Sequence, residues 1–184
     1  MLTLHVEGKD VILDDDTIEK IPSTDLQLEH SLVSVHKWEQ RWHKPYLVDE
    51  PERGNEEIID YVRCMTINKE PVDQRIYYIL SNENIKRIVQ YIKDPMTATT
   101  ITLYKQQEGN KNGTEYLTAE VIYSWMISLG IPIEFQYWHL NSLFTLIRVV
   151  DIKQSPNNKM SKAETAKVYE DINERNKKFF KAKK

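Results

Sequence analysis

Apolar residues change their spacing along this chain, and the changes mark off strand-like, helical and polar stretches. Leu2, Leu4 and Val6 alternate with polar neighbours, and Val11-Ile12-Leu13 follows Gly8-Lys9-Asp10. This pattern predicts a small hairpin ahead of the acidic turn Asp14-Asp15-Asp16. After Leu26 and Leu28 the period lengthens, and Leu32, Val35, Trp38 and Trp42 recur at helical spacing. Ser31 stands where a cap is needed, and Pro45 ends the helix.

A second helix is expected from Glu56 to about Met65, after the loop Asp49 to Gly54. A third starts under the Ser81 cap, buries Ile85, Ile88, Val89 and Ile92, and stops at Asp94-Pro95. Strand formers from Thr99 to Tyr104 are expected to pair with Glu115 to Leu117 across a polar loop. Thr118 is placed to cap a fourth helix, which Gly130 ends before Ile131-Pro132. The fifth, from about Glu134 to Val150, is apolar around most of its circumference and reads as the central, buried helix. Ser161-Lys162-Ala163-Glu164 forms a capping box that opens a polar C-terminal helix.

The expected fold is therefore mainly α: a compact five- or six-helix domain with a small β-hairpin and a polar C-terminal helix. A β-rich segment covers 1–27, the helical core with its hairpin 28–154, and the polar helix with its basic tail 155–184. The 184 residues suffice for one core without staples. Cys64 is the single cysteine; it cannot form an internal disulfide and sits in an apolar helical pattern, which reads as packing.

The first residues lack the basic patch and long apolar run of a secretion signal, and no apolar stretch is long enough to span hydrocarbon. A cytoplasmic protein is expected. The net charge of -3 gives no field for a polyanion, although the end Lys177 to Lys184 is locally basic. Nucleic acid is not the expected partner.

Candidate chemistry is thin. His5, His30, His36, His43 and His139 form no short metal-ligand cluster, and Asp14-Asp15-Asp16 lacks the glycine and distal glutamate of a calcium loop. Gly109 and Gly113 lack the Gly-Lys-Ser/Thr ending of a phosphate loop. Glu29, Glu39, Asp60, Glu120 and Glu134 supply no spacing that sets two carboxylates at opposed acidities. No catalytic set, metal or cofactor is expected.

The aromatic residues say more. Trp38 and Trp42 stand four apart on one helical face, and with His43 and Tyr46 they form the expected partner-binding set. Trp138, inside the broad apolar helix, is expected in the core.

Several segments, read in order, resemble a family of small proteins of tailed bacteriophages, grouped with the tail assembly chaperones. They are Leu28 to Glu39 with Trp42-His43-Lys44-Pro45-Tyr46, Tyr61 to Thr66, Asp94 to Thr100, Trp138 to Val149 and Lys159-Met160-Ser161. Where the family often has arginine after the asparagine of Trp-His-Leu-Asn, this chain has Ser142. The resemblance implies a nonenzymatic factor of the host cytoplasm that binds helical segments of the tape-measure protein; a homo-oligomer, formed through the chain's own aromatic helical surfaces, is a further expectation. A head-tail or tail structural subunit of the virion is the alternative, and a phage-encoded hydrolase a third class.

Overall fold

The computed structural model describes residues 1–12, 18–48, 53–99 and 116–154. Internal packing divides the chain into Met1–Arg148 and Val149–Lys184, and the site described below lies in the first unit. The expected hairpin strands fall almost wholly outside the described residues, and the polar C-terminal helix, the Asp14-Asp15-Asp16 turn and the basic tail fall there entirely. Thr99, Tyr116 and Leu117, at the edges of that hairpin, are not in strands.

The first strand pairs differently from expectation. β1 (Leu2–Val6) runs antiparallel to β4 (Thr24–Leu28), Leu2 opposite Leu28 and Val6 opposite Thr24, while β2 (Lys9–Ile12) pairs with β3 (Ile18–Ile21) inside the loop between them. Alternation explains the choice: Leu4, Val6, Leu26 and Leu28 are all buried, so this register places both apolar rows on one face. Gly8 lets the chain pass closely at the junction, where a Cβ would stand 2.5 Å from the Ile21 carbonyl oxygen.

Helices appear largely where periodicity and caps place them. α1 (Leu32–Trp42) is capped by Ser31, whose Oγ accepts from the Ser34 amide, and ends at His43 in the left-handed region with φ 53°. α2 (Asn55–Met65) opens with the Glu57 carboxylate accepting from the Gly54 amide at 2.9 Å. A 3-10 segment, Gln74–Ile79, leads to α3 (Asn82–Lys93), where Ser81 Oγ accepts from Asn84. α4 (Ala119–Ser128) closes at Gly130, φ 66°.

The expected fifth helix is broken. Ile133–Tyr137 is a 3-10 segment, Trp138 is extended, and α5 starts afresh at Leu140 and runs to Gln154. Long-range pairing makes the break: Ser31 and His139 form a β-bridge, and the Leu140 amide donates to the His30 carbonyl at 2.7 Å. The His139 ring then serves the new helix, its Nδ1 accepting from the Asn141 amide at 3.3 Å. A continuous helix would forgo these bonds and gain only one backbone bond per residue.

The central helix is α1, not α5. α1 packs against both α2 and α4. Trp38 has no exposed surface and its indole N–H donates to the Glu57 carbonyl at 2.9 Å. In α5 only Leu140, Leu143 and Ile147 are buried. Trp138, expected in the core, is 47% exposed because the helix break turns it outward. The described residues form a mainly helical domain with small antiparallel β pairs. None of their helices is long and apolar enough to cross a membrane.

Candidate functional site

Four aromatic or histidine positions were expected to bind a partner, and the fold separates them. Trp38 lies in the core and has no surface to offer. Trp42 is half-buried, stacks 6.0 Å from Trp38 and donates its indole N–H to Asp60 Oδ2 at 3.0 Å. His43 is exposed beside an open polar notch lined by Gln40, Lys44 and Glu120. Tyr46 reaches elsewhere. Its ring stacks on Tyr61 at 3.8 Å and lines an apolar groove between α2 and α3.

That groove has a volume of about 630 Å³, within the range of ligand-binding clefts. Two helices build it from surplus apolar residues. On α3 the stripe Asn84, Ile88 and Tyr91 is buried, and α3 packs against β1. A second stripe, Ile85, Val89 and Ile92, repeats at the same i, i+4, i+7 spacing one residue further round and lines the groove. Ile85 and Val89 each keep 42% of their surface in water. Across from them α2 presents Ile58, 45% exposed, with Ile59 and Val62, while Tyr77, Tyr61 and Ile88 supply buried surface beneath.

Charge enters at defined points. The Arg53 guanidinium lies 4.4 Å from the Tyr46 ring centre and 5.6 Å from that of Trp38, and its Nη2 donates to the carbonyls of Tyr46 and Val48. Its Nε is buried without a hydrogen-bond partner among the described residues. Lys93 is exposed at the end of α3. The one carboxylate of the lining, Glu57, accepts from Lys44 at 2.7 Å; that bond and the Gly54 amide hold its pKa below the ordinary carboxylate value.

The nearby titratable groups are engaged in structure. Glu39 accepts from the Tyr46 and Ala119 amides, both at 2.8 Å. Asp60 accepts from Arg41 at 2.6 Å, Arg63 at 3.2 Å and Trp42. Burial pushes the Cys64 thiol up to about 11, away from the thiolate form a nucleophile needs. Burial likewise raises the Tyr46 and Tyr61 hydroxyls. Among the described residues no group of three or more His, Cys, Asp or Glu is placed to hold a metal ion. What the groove offers is apolar area with cations at its lining.

The segments that carry the phage resemblance interlock as a framework, as far as they lie among the described residues, which leaves out Thr100 and Lys159-Met160-Ser161. The Glu29 amide donates to the Met65 carbonyl at 2.8 Å, and His30 Nδ1 lies 2.5 Å from Tyr61 Oη. His139 Nε2–H donates to the Tyr91 carbonyl at 3.0 Å, and Asn141 Nδ2 to the carbonyls of Ile92 at 3.1 Å and Asp94 at 2.6 Å. Ser142, where the family often has arginine, donates its hydroxyl to Met96 O at 2.8 Å. His139, Asn141 and Ser142 thus clip the carbonyls at and beyond the end of α3, satisfying groups a helix terminus leaves open.

Comparison with protein-family models, with curated proteins and with solved structures gives no match. Sequence reasoning missed Ile58, Ile85 and Val89 as surface residues, reading the α3 pair as core. The available signal was the width of the α3 stripe, which is apolar at 85, 88, 89 and 92 on a helix otherwise polar.

Proposed function

We propose that this chain is a nonenzymatic assembly factor of the tail-chaperone kind, binding an amphipathic helical segment of a tape-measure protein in the α2–α3 groove. The observation that carries the reading is the groove itself, with Ile58, Ile85 and Val89 partly exposed around a volume of about 630 Å³. An apolar helix face set into such a groove buries area that both partners otherwise leave in water. Tyr46 and Arg53 form one part of the wall. In this reading Tyr46, of the four expected partner-binding residues, lies in the binding face, and the protein works in the host cytoplasm.

Coexpression with the tape-measure protein, followed by pull-down and by mass spectrometry of purified virions, tests it. The native chain should capture the tape-measure protein and be absent from finished particles, while Val89→Glu captures it at least about tenfold more weakly. Stoichiometric retention in virions would instead establish the structural-subunit alternative. Undiminished capture by a folded Val89→Glu would remove the groove from the interaction.

A further inference from the structure

We propose that the start of α5 is a latch that acid opens: it is closed on His30, Ser31 and the end of α3 while His139 is neutral, and protonation of His139 releases it with the rest of the fold in place. The inference is drawn from this joint alone and stands whatever the groove binds.

Local pattern and packing compete at the joint. Residues 134–150 carry the apolar spacing of one continuous helix, and contacts from distant elements interrupt it. Ser31 and His139 form a β-bridge, the Leu140 amide donates to the His30 carbonyl at 2.7 Å, and the His139 ring reaches the Tyr91 carbonyl. A segment with two competing arrangements, decided by a few hydrogen bonds, is the element a local switch requires.

Those bonds fix the His139 proton. The Tyr91 carbonyl can only accept, so Nε2 carries the hydrogen; the Asn141 amide can only donate, so Nδ1 is bare. The closed joint thus uses both nitrogens of a neutral imidazole. A proton on Nδ1 would set two donors against each other at 3.3 Å, remove the acceptor that serves the first turn of α5 and put a cation at the positive end of that helix. The His30 ring lies edge-on 5.2 Å away, and both rings are buried.

The surrounding groups pull both ways. Burial and the Met1 ammonium oppose a charge on His139, whereas the Tyr91 carbonyl, Glu29 and Asp94 favour it, and the balance lies below the ordinary histidine value. Glu29 is already engaged, accepting from the Tyr91 hydroxyl at 2.6 Å and lying 2.7 Å from the Met1 ammonium. On its other side His30 meets the Tyr61 hydroxyl at 2.5 Å, with Tyr46 stacked on that ring.

Opening stays local because α1 has anchors of its own. Trp38 bonds to Glu57 in α2, and Glu39 to the Ala119 amide at the start of α4. The end of α3 does not: His139, Asn141 and Ser142 hold the carbonyls of Tyr91, Ile92, Asp94 and Met96, and all three leave with α5. Ile92 also lines the α2–α3 groove, so that wall loosens when the latch opens.

Amide hydrogen exchange on the full chain from pH 7 to pH 5, read by NMR as protection relative to an unstructured chain, tests the proposal. The Leu140 and Asn141 amides should lose protection below about pH 6.5, by up to about tenfold per pH unit for one proton, while those of Trp38 and Glu39 hold theirs. His139→Asn keeps an oxygen that can accept from the Asn141 amide and carries no titrating group, so its joint should show no such pH dependence. Nitrogen-15 shifts of the His139 ring, which need no substitution, should report the Nε2–H tautomer at pH 7. Joint amides that keep their protection to pH 5 or lose it together with α1, an acid opening that survives in folded His139→Asn, or a His139 ring protonated at Nδ1 at pH 7 would each overturn the proposal.

Discussion

Glu39 ties the end of one helix to the start of another, and replacing it by glutamine shows how much a long-range cap is worth. One carboxylate oxygen accepts from the Tyr46 amide and the other from the Ala119 amide, both at 2.8 Å, and the residue is only 7% exposed. Both partners are donors. A glutamine oxygen can serve one of them, but the amide NH2 then faces the other N–H in a buried place. Glu39→Gln therefore loses one charge-assisted bond and strands a donor, costing about 2–3 kcal/mol. Thr118 stands where the sequence expects the cap of α4, yet its side chain makes no capping bond. Thr118→Ala should accordingly cost less than about 0.5 kcal/mol, whereas Ser81→Ala, which removes a cap that is made, should cost about 1 kcal/mol. Urea unfolding of the three variants at neutral pH, with unchanged m values, reads these differences. A harmless Glu39→Gln together with a Thr118→Ala as costly as Ser81→Ala would refute the reasoning.

Other consequences can be checked on the same purified chain. Trp38→Ala should cost about 3–5 kcal/mol and Trp138→Ala less than about 1 kcal/mol, since the first is enclosed and the second is 47% exposed; the reverse order in urea would contradict the fold. Burial, with His139 beside it, pushes His30 down to about 3. Between pH 6.5 and about 3 the unfolded chain binds a proton that the native state excludes, so stability falls as pH falls, by up to about 1.4 kcal/mol per unit. His139, also lowered by burial, acts in the same sense, and exposed His5, raised by Asp25, in the opposite one. Unfolding of the native chain and His30→Gln from pH 7 to pH 5 should give a shallower loss for the variant, and parallel slopes would discard His30 as the source. Gly8→Ala drives a methyl to 2.5 Å from a backbone oxygen and should cost about 1–3 kcal/mol, whereas Gly130→Ala meets no neighbour and adds only the left-handed strain of about 1–2 kcal/mol. A Gly8→Ala that unfolds in urea with a loss well below about 1 kcal/mol would argue against the close passage at Gly8.

Helix positions were legible in the sequence because their determinants are local. Ser31 and Ser81 cap within three residues of themselves, Gly130 takes the left-handed turn that other residues resist, and apolar spacing marks α1 to α4. What the sequence could not decide was which of several apolar surfaces would be covered. The α3 stripe at 85, 88, 89 and 92 reads as uniform, yet β1 covers the side at 88 and leaves 85 and 89 to form a groove. Trp38 and Trp138 look alike beside their histidines. Trp38 became the core because α2 and α4 close on α1, and Trp138 reached the surface because the His30 carbonyl, more than a hundred residues earlier, captured the Leu140 amide and broke the helix. Periodicity records what a segment can bury; only the packing of distant segments, competing for the same hydrogen bonds and the same apolar area, determined what it did bury.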